Sequence, residues 1–306
     1  MPSDEITPRQ RWMGILLVLV CTGLWSTSGL LIKLLAQAPD GVPALTIACY
    51  RSLIAGAIFL PLAWRHFGDL RSVPATWVIG AITMFTLMTV LFVVATTRTA
   101  AANAIILQHT APIWVFVLSP LLLAERSRWS DGAVLLIAMA GVLVIFVGSA
   151  QDAATDVPAL VCALVSGLAF ACVIIALRAL RAVTPRVVVC MNCLGSGLVM
   201  LPLLIASGEF TVAREKIPLL LTLSFFQLSL PYLIYSYALR SVPAQAASLL
   251  SLTEAVLNPA LTFLVIGEHI PPATLLGGPL ILAGVAGYLT LGWWRGRKPT
   301  LPPSPE

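Results

Sequence analysis

Residues 95–112, ATTRTAAANAIILQHTAP, and residues 238–255, ALRSVPAQAASLLSLTEA, are one pattern written twice at a shift of 143 positions. Ala95, Ala101, Ala104, Leu107 and Thr110 fall on Ala238, Ala244, Ala247, Leu250 and Thr253. The register continues, placing Glu125, Ala140, Gly141 and Val142 on Glu268, Ala283, Gly284 and Val285. Allowing a small gap, Gly56 and Pro61 fall on Gly197 and Pro202. The chain therefore reads as one unit duplicated, and the nature of the unit follows from its composition.

Of the 306 residues, 59% are hydrophobic and 10% charged, against about 25% charged in ordinary soluble domains. Mean hydropathy is +0.97. A soluble globular domain, a disordered tail and a solvated solenoid are excluded. The apolar runs are continuous and rich in Leu and Ala, without the alternation of a transmembrane β-barrel. A helix rising 1.5 Å per residue needs roughly 20 apolar residues to cross a hydrocarbon layer of about 30 Å. Pro, Gly and charge divide the chain into ten such segments, near 12–36, 43–64, 74–97, 100–123, 131–149, 157–180, 186–206, 217–238, 244–266 and 272–294. The fold expected is an all-α integral membrane bundle of ten helices, with no soluble domain. Its two units are 12–149 and 157–294. Because five crossings are an odd number, the second unit starts from the opposite face and the repeat is inverted. Glu125 then ends helix four on one side, and Glu268 ends helix nine on the other.

Orientation follows from Lys and Arg. With the N-terminus inside, one side collects Arg9, Arg11, Arg65, Arg71, Arg126, Arg128, Arg178, Arg181, Arg186, Arg240, Arg295, Arg297 and Lys298. The other side holds Arg98, Arg214 and Lys216, while Lys33 and Arg51 lie within spans. Both termini are expected in the cytoplasm. The net charge of +5 is thereby accounted for by topology and is no sign of nucleic-acid binding. The start of helix one, after Arg9 and Arg11, imitates a signal peptide but is too long and lacks a clear cleavage site. Short loops, with Asn103, Asn192 and Asn258 outside any glycosylation sequon, favour a bacterial inner membrane. Cys190 and Cys193 have CxxC spacing but neither a second pair nor a nearby His, so they read as small core residues and not as a metal or redox site.

Inverted repeats are the usual construction of secondary transporters, with substrate held near the midplane between the halves. Ionisable and polar residues inside the spans are then the candidates for its site. Lys33 sits near a helix end, where its side chain can snorkel. Arg51 is about eight residues into helix two, too deep for that. Ser251, Glu254 and Asn258, at i, i+3 and i+7, make a polar stripe on helix nine that is expected to face a cavity. Glu254 there is either a carboxyl that binds and releases a proton as the cavity alternates, or half of a structural ion pair with Arg51 or Lys33. His109, one turn before Pro112, either carries a proton or contacts substrate, or else is satisfied by a carbonyl that Pro112 leaves free. Trp25, flanked by Ser26 and Ser28, lies mid-membrane, unlike the interfacial Trp12, Trp293 and Trp294. With Tyr232, Tyr235 and Phe225 of helix eight it can wall an apolar pocket.

The residues Trp25-Ser26-Thr27-Ser28, Arg51 with Gly56, Thr110-Ala111-Pro112 before Glu125, Tyr237 to Ala244, Thr253-Glu254-Ala255 before Gly267-Glu268, and the paired Gly141 and Gly284 resemble the drug/metabolite transporter superfamily. The resemblance covers about 13 to 294 and is to its ten-helix EamA-type exporters, the aromatic amino acid exporter group included. It implies a central cavity lined mainly by helices one, three, four, six, eight and nine, and export of small metabolites, often amino acids. Helices five and ten stand behind, where Gly277, Gly284 and Gly287 allow close packing. Ala255 occupies a place where the family commonly has Pro, and Pro259 follows four residues later, so any kink in helix nine is expected about one turn late.

The function expected is secondary export of a small metabolite, plausibly an amino acid, with efflux of cationic drugs as the alternative. A proton is the candidate coupling ion, the surrounding lipid the remaining partner, and a monomer the expected state. A lipid-modifying enzyme needs a polar catalytic cluster at one face, and none is visible. A channel needs a lined pore, and an ATP-driven pump needs a phosphate-binding G-x-x-x-x-G-K-[ST] loop, which is absent. No catalytic residue, cofactor or metal is expected.

Overall fold

The computed structural model describes residues 7–37, 40–125, 129–150, 156–267 and 272–294. Glu268 and the cations Arg126, Arg128, Arg295, Arg297 and Lys298 lie outside them. The described residues are helical, and eight helices are long and apolar enough to cross a membrane: Pro8–Ala36, Ala44–Ser72, Ala75–Arg98, Ala101–Leu123, Val157–Ala182, Pro185–Ser207, Arg214–Ala238 and Ala244–Ile266. Trp129–Ala150 and Pro272–Trp294, which contain shorter apolar stretches, complete the ten. In chain order they are helices one to ten, with Trp129–Ala150 fifth and Pro272–Trp294 last.

The connections collect at two ends. Asp69, in the last turn of helix two, accepts hydrogen bonds from the backbone and hydroxyl of Thr184, after helix six. Arg240, after helix eight, donates to the Val183 carbonyl, and Glu125, after helix four, also lies here, paired with Arg178. This is the basic end. At the opposite end, Arg98, the last residue of helix three, pairs with Asp156 before helix six at 2.9 Å. There Lys216, in the first turn of helix eight, donates to the Leu34 carbonyl of helix one at 2.6 Å. Successive connections thus alternate between ends, as crossing helices require.

A pseudo-two-fold governs the packing. Helix two lies on seven, four on nine and five on ten, each against its own counterpart, while one on eight is matched by six on three. The contacts are reciprocal. A Cβ added to Gly56 would fall 2.5 Å from the Leu194 backbone nitrogen, and one added to Gly197 would fall 2.6 Å from the Leu53 side chain. The Cys49 thiol donates to the Gly197 carbonyl and the Cys190 thiol to the Gly56 carbonyl, both at 3.5 Å. Both thiols thus act as donors across the packed helix pair, and Cys190 and Cys193 are both buried. At the second glycine contact, Gly141 faces Gly277 and Ile281, and Gly284 faces Ala138. Gly287, by contrast, leaves ordinary van der Waals room to Val134.

Three spans are interrupted. Helix one breaks between Pro8–Trp25 and Ser28–Ala36. There the Ser26 and Thr27 hydroxyls bond back to the Thr22 and Leu24 carbonyls at 2.7 Å, a competition with the helical ladder that bends helices. Helix four breaks between Ala101–Gln108 and Ala111–Leu123. Helix nine breaks between Ala244–Ser251 and Glu254–Ile266, so every boundary is displaced by the same 143 positions. The C-terminal residues that turn the chain are equally matched: Ala124 and Gly267 both adopt left-handed backbone, at φ 52° and 69°. Helix eight runs through a π-helical stretch, Leu223–Ser229, just before Pro231. The wider turn accommodates the hydrogen bond that proline cannot make.

The break in helix nine corrects the expectation of a kink displaced toward Pro259. In helix four, Pro112 lacks the N–H that the Gln108 carbonyl needs, so the break there is written locally. In helix nine, Ala255 could continue the ladder, yet the break stays at the corresponding place. A tertiary contact described below takes up the freed carbonyl. Pro259 sits inside the following helix.

The glycine contacts generate a paired test. Gly197→Ala should lower the thermal midpoint of the detergent-solubilised protein, because overpacking costs about 1–3 kcal/mol. Gly23→Ala, where nothing lies within 4 Å, should leave it unchanged or raise it, since Ala is favoured over Gly in a helix by about 1 kcal/mol.

Candidate functional site

A cavity of about 30 Å³ lies inside the bundle, lined by Trp25, Arg51, Met88, Phe92, Gln108, Phe170, Gln227, Leu228, Tyr232 and Glu254. These come from helices one, two, three, four, six, eight and nine. Its volume suits a water or two, given that one needs roughly 10–15 Å³. A metabolite does not fit, so the walls must part for one to enter.

The helix interruptions set the polar groups. The π-helical stretch carries Gln227, whose Oε1 accepts from Arg51 Nη1 at 3.3 Å. Arg51 is only 2% exposed, yet its Nε has no partner among the described residues. The Trp25 indole N–H is likewise unpartnered. Buried donors are rarely left so. Both belong to residues that line the cavity, where a bound molecule can accept from them.

Trp25 organises the apolar wall. Its ring lies 5.7 Å from Phe170, 5.1 Å from Tyr232 and 5.0 Å from Tyr235, and Tyr232 in turn stands edge-on to Phe85 at 5.0 Å. Such tilted and edge-to-face pairs are favoured by the ring quadrupoles. The Tyr232 hydroxyl is 3.3 Å from the Met88 sulfur.

Behind Glu254 lies a second polar layer at the helix breaks. The Ser28 hydroxyl lies beside the Glu254 carboxyl and accepts from Asn258 Nδ2 at 3.0 Å. His109 crosses from the break in helix four to that in helix nine. Its Nδ1 lies 2.8 Å from the Ile105 carbonyl and its Nε2 2.8 Å from the Ser251 carbonyl, with Glu254 Oε2 at 3.7 Å from Nε2. A neutral imidazole has one ring proton and can satisfy one of those carbonyls. A doubly protonated ring donates to both and faces the carboxylate as well.

Of the residues singled out from sequence, Trp25, Arg51, Tyr232 and Glu254 meet at the cavity. Tyr235 packs behind Trp25. Ser28, His109 and Asn258 form the layer behind the carboxyl. Ser251 enters through its carbonyl, because its hydroxyl folds back to Ala247 and the helix breaks before Glu254. The three residues expected on one stripe are therefore not on one continuous helix face. Arg51 does not close the suggested ion pair on Glu254; its recorded contact is Gln227. Lys33 reaches the Thr99 carbonyl at 2.6 Å, near its helix end. Phe225 packs on Phe226 and does not line the cavity. Gln227 was missed, although a glutamine inside an apolar span four residues before Pro231 carries the same signal that marked Arg51. Met88, Phe92 and Phe170 carry no such signal. Among the described residues, no group of three His, Cys, Asp or Glu gathers to hold a metal.

With this geometry in place, the comparisons with known proteins are decisive. A model of the EamA-like transporter family matches residues 12–147 and again 157–290. The chain belongs to the EamA-like transporter family. It is an integral membrane transporter built of duplicated halves, and the family is one of transporters and not of enzymes. The chain is similar to the uncharacterized transporter YwfM of Bacillus subtilis (strain 168), with 26% identity over 275 residues, 88% of this chain and 91% of that one. A crystal structure superposes with a TM-score of 0.74 at 19% identity, covering 92% of this chain and 98% of the other. That likeness concerns the fold alone.

His109→Ala removes the bridge between the two breaks and leaves the Ser251 carbonyl without its partner. The expected cost is about 1–3 kcal/mol, read as a shift in unfolding of the transporter by denaturant in mixed micelles. Leu252, the counterpart of His109, makes no such bridge, so Leu252→Ala should show only the loss of apolar packing.

Proposed function

We propose that this transporter exports a small zwitterionic metabolite, an amino acid with an apolar side chain being the best fit. The observation that carries the reading is that Arg51 and Glu254, of opposite charge, line one cavity whose remaining wall is largely aromatic and apolar. A carboxylate suits the guanidinium, where charge-assisted hydrogen bonds are strongest. An ammonium suits the Glu254 carboxylate, and Trp25, Phe92 and Phe170 suit an apolar side chain. Efflux of cationic compounds uses Glu254 alone and has to tolerate Arg51 in the same small space, which weighs against it. The basic end faces the cytoplasm on this reading, following the distribution of Lys and Arg, and the membrane is a bacterial inner membrane. Rocking of the two units about the central site moves substrate outward. Glu254, beside Ser28 and 3.7 Å from His109, is the group that takes up and returns a proton in the cycle.

Counterflow in proteoliposomes tests the substrate class. Uptake of labelled apolar amino acids against a preloaded excess is expected, with little movement of a lipophilic cation; the reverse result removes the reading. Arg51→Gln should lower counterflow at least tenfold, since a charged hydrogen bond of about 1.5–3 kcal/mol is lost. Glu254→Gln should keep exchange measurable but abolish accumulation driven by a pH gradient. Unchanged pH-driven accumulation in that variant ends the proton role.

A further inference from the structure

Outside the cavity, the most deeply buried charges of the described residues meet at the basic end. Arg178, in the last turn of Val157–Ala179, was counted from sequence with the loop cations, but its side chain is 1% exposed and that of Glu125 is 5% exposed. Arg178 Nε donates to Glu125 Oε1 at 2.7 Å. Arg178 Nη1 donates to the Leu239 carbonyl at the end of helix eight. The other carboxylate oxygen, Glu125 Oε2, accepts from the Ala244 backbone N–H in the first turn of helix nine at 3.2 Å. Glu125 follows Ala124, whose left-handed backbone ends helix four. One carboxylate and one guanidinium therefore join the end of helix four, in the first unit, to helices six, eight and nine of the second.

We propose that Arg178 and Glu125 are a gate of the transport path, holding the basic end shut in the conformation described here. The physical case rests on what such a pair does well. The desolvation of two buried charges offsets most of their attraction, so an ion pair is a poor device for permanent stability. Parted toward water, however, both charges recover their hydration. An apolar contact parted in the same way loses about 25 cal/mol for each Å² exposed. A buried pair that lies across the seam between two units, at the end where their connections collect, therefore suits a contact made and broken in each cycle. Glu125 also meets the positively polarised start of helix nine, so release frees one half of an interrupted span. The inference goes beyond the substrate reading and does not depend on it.

Hydrogen exchange of the full chain in lipid nanodiscs, followed by mass spectrometry, tests the gate without a substrate. Residues 239–251 report the basic end, and residues 96–108, their counterparts 143 positions earlier, report the opposite end. Glu125→Gln should speed exchange in 239–251 at least fivefold while 96–108 is unchanged or slower, because opening one end closes the other. Arg178→Lys keeps the charge but cannot span Glu125 and the Leu239 carbonyl with one planar group, and should give a smaller increase confined to the same segment. Equal acceleration of both segments means general loosening and overturns the gate, as does no change in either. Should Glu125→Gln fail to fold, Arg178→Lys decides by the same criteria.

Discussion

Hydrocarbon offers no partner for a free N–H or C=O, so a helix that is interrupted inside a membrane must have its freed backbone groups met from within the protein. This constraint shapes the middle of the molecule. In helix one, Ser26 and Thr27 take up carbonyls of their own turn. In helix four, the Thr110 hydroxyl donates to the Leu107 carbonyl at 2.9 Å, where Gly167 of helix six packs closely. In helix nine, His109 reaches across from the partner break to the Ser251 carbonyl. Of these groups, His109 also stands 3.7 Å from the Glu254 carboxyl. The break in helix nine and the polar centre thus share one side chain, His109.

The symmetry of the duplicated units explains both the reciprocity of the packing and its one important departure. Helices two and seven, and five and ten, approach through corresponding glycines on both sides, as a two-fold relation requires. At the centre the relation fails on purpose: His109 stands opposite Leu252 and Ala111 opposite Glu254. A perfectly symmetric centre would present two like groups to one ligand. Divergence at those positions leaves Arg51, Gln227 and Glu254 together in the lining of one cavity, the asymmetry on which the proposed recognition of a zwitterion rests.

Much of this was readable in the sequence. The repeat, the ten apolar segments and the odd number of crossings in each unit follow from composition and spacing, and the family match agrees with that architecture. Arg51 and Glu254 were legible as cavity residues because ionisable groups in hydrocarbon are costly and turn inward, and Trp25 by its central place next to Ser26 and Ser28. Gln227 carried the same signal but stood among apolar neighbours whose π-helical path has no pattern in the sequence. The position of the break in helix nine was misread, because Pro259 is a visible local cause whereas the bridge from His109 is a contact over 142 residues. Arg178 was misread for a related reason: a cation at a helix end looks solvated until the chain elements that bury it are assembled.

Composition and periodicity alone established the membrane as the solvent, the crossing count and the duplication, because each depends on one-dimensional lengths and repeats. Only the tertiary structure decided which charges meet. Arg51 took Gln227 and not Glu254, Glu125 took Arg178, and His109 took a carbonyl of the other unit. The physical reason is that a charge or a freed carbonyl buried from water must be satisfied by whatever group the fold brings within hydrogen-bonding distance, and that distance is a property of the packed bundle.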